Sequence, residues 1–297
     1  MPTTPAEFGA QITQVDADLV GPWRRPRQML AHQTFAARGS IHDDDVARAH
    51  GFQAGTIEGP THFTPFEPLC AATWGDRWFR EGCLSAHFTN PVFEGEATQA
   101  QLTPRGDTGR VRMVKIGGEQ VLSGTAHVGP GHGSELHHRL AALRPPGDLR
   151  ILAGASVGAR TPRRPSRLAW DRPIAPAYPF SVREKLAALT EPGWPFDGQS
   201  AALPLELVSV LFCQHELTAD WAPAEAVGLF ADQEIRLFEG PLYAETDYEI
   251  SRELLAVSSG RRTESLWIRA EAYAPGGAAP LAAMLINCAY LRPLQGP

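Results

Sequence analysis

Two stretches of this chain answer one another. Phe238-Glu239-Gly240 lies 145 residues after Phe93-Glu94-Gly95, and Pro204 lies 144 residues after Pro60, each proline opening an apolar run. A helix start and a corner that keep nearly the same separation point to internal duplication, so the chain should fold as two similar units. Its 297 residues leave room for that, since a unit of about 100–150 residues can bury its own core. We place a first unit at 1–129, a connection at 130–172 and a second unit at 173–297.

The first unit reads as helices followed by strands. His42 precedes Asp43, Asp44 and Asp45, and three carboxylates suit the positive end of a helix dipole. Gly51 is placed to end that short helix. Gly59-Pro60 then opens a second helix, with Phe63, Phe66, Cys70 and Trp74 at helical spacing. From Leu84 the period becomes two, with Leu84, Ala86 and Phe88 against Ser85, His87 and Thr89. Pro91 and Gly95 mark a corner, and further strands fit 97–103, 110–116 and 120–128. Helices followed by a run of antiparallel strands make an α+β pattern.

In the second unit, strands fit 227–238, 243–250, 262–273 and 282–291. The run after Pro204 is apolar nearly all round, which predicts a buried helix. The connection is rich in Gly, Pro and Arg. Its Arg160, Arg163, Arg164 and Arg167 read either as a solvated surface or as a contact for the phosphates of a thiol cofactor. Residues 23–27, Trp-Arg-Arg-Pro-Arg, read as a solvated turn.

Composition narrows the partners. A net charge of −6 argues against nucleic acid or an anionic membrane. The four cysteines form no Cys-x-x-Cys pair, so no zinc site is indicated, and His42 with the following aspartates cannot converge on one metal from successive helical positions. The N-terminus lacks a signal-peptide pattern and the longest apolar run, 280–291, is too short to span a bilayer. We expect a cytoplasmic protein with reduced cysteines.

Three groups could carry chemistry. Gly59 leaves a backbone N–H open to close approach at a helix start, which suits an oxyanion site; the other candidates are His42 and a carboxylate, Glu58 or Glu67. Taken residue by residue, His42 could equally be a capping or core histidine, Glu58 a solvated loop carboxylate and Glu67 a helix-edge residue. No Gly-x-Ser-x-Gly surrounds Ser85 or Ser123, so a serine hydrolase is not supported.

The order His42, short helix, Gly51-Phe52, Ile57, Gly59, helix, Phe88 and Pro91-Val92-Phe93-x-Gly95 resembles the MaoC-like (R)-specific enoyl thioester hydratases and dehydratases of the hotdog superfamily. The duplication resembles their double-hotdog members, in which each antiparallel sheet wraps a central helix. The resemblance implies a hydro-lyase acting on an acyl thioester of coenzyme A or a carrier protein, with no metal or redox cofactor, working as a homodimer. It places the catalytic imidazole at His42, the oxyanion N–H at Gly59 and a small hydroxyl at Thr64. The family's Asp-x-Asn-Pro-x-His falls on Ala37, Gly39, Ser40 and His42, so its aspartate is missing, and Glu58 stands where a histidine commonly precedes the glycine. Glu58 could replace the carboxylate from the other side. Otherwise the site could run a one-base isomerisation or cyclisation, act as a thioesterase through Glu58 or Glu67, or only bind an acyl ligand.

Overall fold

A computed structural model describes residues 8–9, 11–31, 33, 39–194, 201–223 and 225–292. The first repeat contains the hairpin β1 (Thr13–Val15) and β2 (Asp18–Val20), helices α1 (Asp44–Ala49), α2 (Glu67–Trp74) and α3 (Asp76–Glu81), and strands β3 (Gly82–Phe88), β4 (Thr98–Arg105), β5 (Thr108–Lys115) and β6 (Gln120–Val128). Helix α4 (Glu135–Ala141) and strand β7 (Arg164–Ser166) lie in the connection. The second repeat has α5 (Val182–Ala187), α6 (Leu205–Cys213), β8 (Gly228–Leu237), β9 (Tyr248–Ser259), β10 (Thr263–Tyr273) and β11 (Pro280–Leu291).

The strands form one sheet in the order β1-β2-β4-β5-β6-β3-β8-β11-β10-β9-β7. Each repeat is a three-strand meander whose last strand pairs with the repeat's first strand, β3 beside β6 and β8 beside β11. The repeats meet where β3 pairs antiparallel with β8, Leu84 opposite Ile235. The helices α2 and α6 supply Leu69, Cys70, Leu207, Leu211 and Phe212 to one buried cluster with Leu84, Ala86 and Ile235 from the seam strands. Every residue of α6 is buried, as its apolar run predicts.

The expected alternation in β3 is incomplete as a burial pattern, because Cys83 and Ser85 on the other face are buried too. Helix α4 covers that face, with the Leu136 N–H donating to Ser85 Oγ at 3.3 Å and the Leu136 side chain packing on Trp267 and Leu285. The connection is therefore built into the sheet, α4 on one face and β7 at one edge. Strand β7 pairs with β9, Arg160 with Glu253, Arg164 with Asp220, and Arg167 with Glu245 and Asp247, while Arg163 lies over the Tyr273 ring at 3.5 Å. The four arginines are engaged with acids or a ring. Arg24 is likewise not a solvated residue; its guanidinium meets buried Glu191 at 2.9 Å.

Three sequence expectations shift. The helix expected from Pro60 begins as two 3-10 turns, Gly59–His62 and Thr64–Phe66, before α2, which ends at Gly75 with φ 58°. Pro65 lacks the N–H that a continuous α-helix from Pro60 would require, so the segment runs as 3-10 turns, while Pro68 falls in the first turn of α2, where its N–H has no intrahelical partner to lose. The strand expected at 243–250 starts only at Tyr248, because Glu245 takes a φ of 57° in an intervening turn. The repeat register also differs from the Phe-Glu-Gly match. Ile57 N–H bonds to Val92 O as Leu203 N–H bonds to Leu242 O, so the corner pair is Pro91-Val92-Phe93 with Pro241-Leu242-Tyr243, and Phe238 directly follows β8. No helix among the described residues is long and apolar enough to cross a membrane.

Candidate functional site

A cavity of about 430 Å³ opens between the repeats. The first repeat gives it His42, Glu58, Gly59, His62 and Phe88; the second gives Ala177 and Tyr178, ahead of α5, and Cys213, Phe230 and Tyr290. His42, Glu58 and Gly59 are thus brought together. Thr64 is not: it does not line the cavity, and its buried hydroxyl lies beside the Glu206 carboxylate. Ala37 lies outside the described residues.

Local chemistry holds His42 in place. Asp43 caps α1 through hydrogen bonds from Asp45 N and Val46 N, and Asp44 Oδ1 accepts Gly55 N–H at 2.8 Å. The acidic run therefore shapes backbone, and His42 is not the cap. Gly55 is needed for the approach that follows, since a Cβ there would fall 2.2 Å from His42 O. Thr56 then comes close enough for its carbonyl to meet His42 Nδ1 at 2.6 Å. A carbonyl only accepts, so Nδ1 carries the proton. Burial lowers the His42 pKa, partly opposed by that bond, and the neutral ring keeps a lone pair on Nε2.

Glu58 follows in the same extended stretch, with 5% of its surface exposed. Burial pushes its pKa up to about 7, against the charge of Lys185 and a hydrogen bond from Tyr178. Tyr178 Oη donates to Glu58 Oε1 at 3.1 Å. Near neutrality Glu58 is thus divided between acid and carboxylate. It is a buried group, unlike the solvated carboxylate that composition alone would favour.

Gly59 heads the first 3-10 turn, where its N–H has no acceptor within the turn. A Cβ at this position would fall 2.8 Å from the Phe88 ring, so only glycine fits. The register of the repeats makes Leu205 its counterpart. There the N–H is filled by the protein itself, donating to Glu67 Oε1 at 2.7 Å. Glu67 Oε2 accepts from Trp78 Nε1 at 3.2 Å, and Glu67 does not line the cavity. Burial raises its pKa to about 8. Glu67 is thus a buried tie between α2 and α6.

Two cavity residues have no clear sequence signal. His62 is 3% exposed and lines the cavity from the same turn as Gly59. Its spacing from Gly59 is visible in the sequence, but its burial is not. Tyr178 reaches Glu58 across 120 residues of chain. Below them, Lys185 Nζ bonds Thr61 Oγ1 and pairs with Glu206, both at 3.1 Å, in a buried network. No group of three or more His, Cys, Asp or Glu side chains among the described residues is arranged to hold a metal. The four cysteines are free and buried.

No known family profile and no curated protein matches the sequence. Solved structures do match in fold. A protein described as a MaoC domain dehydratase from Chloroflexus aurantiacus is 13% identical, with 99% of each chain covered and a TM-score of 0.59. The dehydratase domain of PpsC from Mycobacterium tuberculosis, solved in complex with C12:1-CoA, is 11% identical, with 94% of this chain and 97% of that one covered and a TM-score of 0.53. At these identities the likeness is one of fold, and the fold is an α+β hotdog type.

Proposed function

We propose that the chain is a double hotdog whose first unit is a hydratase or dehydratase of α,β-unsaturated acyl thioesters. One observation supports this reading: His42, Glu58 and Gly59 line one cavity, with burial lowering the His42 pKa and raising that of Glu58 to about 7. The two structural relatives, themselves described as dehydratases, agree with it.

In the hydration direction, His42 Nε2 takes a proton from water. The water oxygen bonds to Cβ of the substrate as the C=C π pair moves through Cα to the thioester oxygen. The Gly59 N–H stabilises that oxygen while it is negative. Protonated Glu58 then delivers its proton to Cα, and the imidazolium proton returns to Glu58 through water. Glu58 supplies the second proton carrier in place of the carboxylate missing at Ala37. Glu67 gives no support to a thioesterase, because it does not face the cavity and both its oxygens accept structural hydrogen bonds.

The test is loss of enoyl-thioester ultraviolet absorbance from short and medium trans-2-enoyl-CoA, with free thiol followed in parallel, for wild type, His42→Ala and Glu58→Gln. Absorbance loss without thiol, abolished in both variants, is the expected result. Thiol release sensitive to Glu58→Gln would assign a thioesterase instead. A folded wild type that consumes none of these substrates would remove the hydratase reading.

A further inference from the structure

His62 poses a physical problem that the proposed chemistry does not use. The residue is all but excluded from solvent, and its Nδ1 has no hydrogen-bond partner among the described residues. An imidazole left this way sacrifices the hydration of a polar atom with nothing in return. Burial, together with the charges of Lys185 and Lys115, pushes its pKa down to about 3, so the ring is neutral, with one N–H and one lone pair. A neutral imidazole is satisfied by a hydroxyl or carbonyl oxygen and gains no ion pair from a carboxylate.

Its position says where that oxygen belongs. His62 is the third residue after Gly59 in one 3-10 turn. Residues so spaced eclipse one another, and the rise of about 2 Å per residue sets their Cα atoms about 6 Å apart along the turn. Gly59 and His62 both line the cavity, and Gly59 has no side chain to stand between them. A thioester oxygen held by Gly59 therefore directs the acyl carbons a few bonds further on toward His62. The neutral ring meets that oxygen with one N–H and one lone pair, and no lysine or arginine among the described residues lines the cavity.

We propose that His62 orients the substrate by hydrogen-bonding an oxygen on the acyl chain, so that the site selects oxygen-bearing acyl thioesters over plain hydrocarbon ones. The inference rests on the acyl thioester reading above, but not on which reaction the thioester undergoes. The test therefore uses ligands that cannot react. They are the amide analogues of pentanoyl-CoA and 4-oxopentanoyl-CoA, in which nitrogen replaces the thioester sulfur. Calorimetric titration of the full-length wild type is expected to give a Kd at least about tenfold lower for the 4-oxo ligand, the effect of one well-made hydrogen bond to a buried group. In His62→Leu the two ligands should bind within about twofold of one another, with the pentanoyl ligand bound as in wild type, which also reports an intact fold. His62→Gln, which keeps a donor and an acceptor, should recover part of the preference. Equal binding of the two ligands by wild type overturns the proposal, as does a preference that survives in His62→Leu. Failure of both ligands to bind overturns it too, while turnover of enoyl thioesters in the absorbance assay separately decides the hydratase reading.

Discussion

A neutral imidazole and a protonated carboxyl group facing one cavity set opposite limits on pH. His42 must be unprotonated to act as base, so hydration falls on the acid side, below the usual histidine range because burial lowers its pKa. Glu58 must carry its proton, so activity is lost as pH rises through about 7. The expected profile of kcat/KM is a bell whose alkaline limb lies near neutrality. Tyr178→Phe removes a donor that favours the Glu58 carboxylate and should move that limb to higher pH, read from the same profile. Glu58→Gln should cost about 10²–10⁴-fold in kcat, the usual worth of a general acid. His62→Leu is expected to raise the melting temperature, since it replaces a buried nitrogen that lacks a partner with an apolar group. The order of motifs along the chain singles out His42, Glu58 and Gly59 as candidates, and these three line one cavity. Tyr178 is illegible there, because nothing local links a loop tyrosine to a glutamate 120 residues away.

Among the elements, α2 and α6 are joined by one carboxyl group. Removing it strands the Leu205 N–H and the Trp78 indole N–H in the core. Each orphaned donor costs about 1–3 kcal/mol, so Glu67→Ala should destabilise the fold by a few kcal/mol, measured as a lower urea midpoint at unchanged slope. The kcat of the folded fraction should hold, because Glu67 is outside the cavity, and a thioesterase working through Glu67 would lose its activity instead. Strands are legible where residue period and turn glycines agree, as for β6, expected at 120–128 and found there. The central helix is less legible, since side-chain spacing at Phe63, Phe66 and Cys70 suits a 3-10 turn or an α-helix over so few residues, and the prolines decide between them. Phe-Glu-Gly reveals the repeat, yet the backbone pairing at Val92 and Leu242 puts the second corner a few residues later. An insertion between equivalent elements shifts a motif match without disturbing the fold.

For the molecule as a whole, raised carboxyl groups set how stability depends on pH. Glu58 and Glu67 have folded-state pKa values of about 7 and about 8, above their ordinary value of 4.5. Between these limits the folded chain binds more protons than the unfolded one, and the stability these groups contribute is lost as pH rises through the folded values. His62 works the other way, but only below its ordinary value of 6.5, because its folded pKa is lowered to about 3. From pH 6.5 to 8 the lowered histidine no longer contributes, and Glu58 and Glu67, joined by His137, whose pKa its contact with Glu234 raises, lose stability, so the melting temperature should fall across that interval, with up to about 1.4 kcal/mol per pH unit from each of the two buried carboxyl groups. A melting temperature that rose from pH 6.5 to 8 would count against protonated Glu58 and Glu67. The seam between repeats has a consequence for synthesis. Leu84 in β3 pairs with Ile235 in β8. At the usual pace of about 5–20 residues per second, a ribosome leaves β3 without its second neighbour for about 8–30 s. During that time the nascent first repeat shows an unpaired strand edge to other nascent chains. Spacing of ribosomes on the message, and chaperones that shield such an edge, should therefore govern how much of this protein reaches its native form.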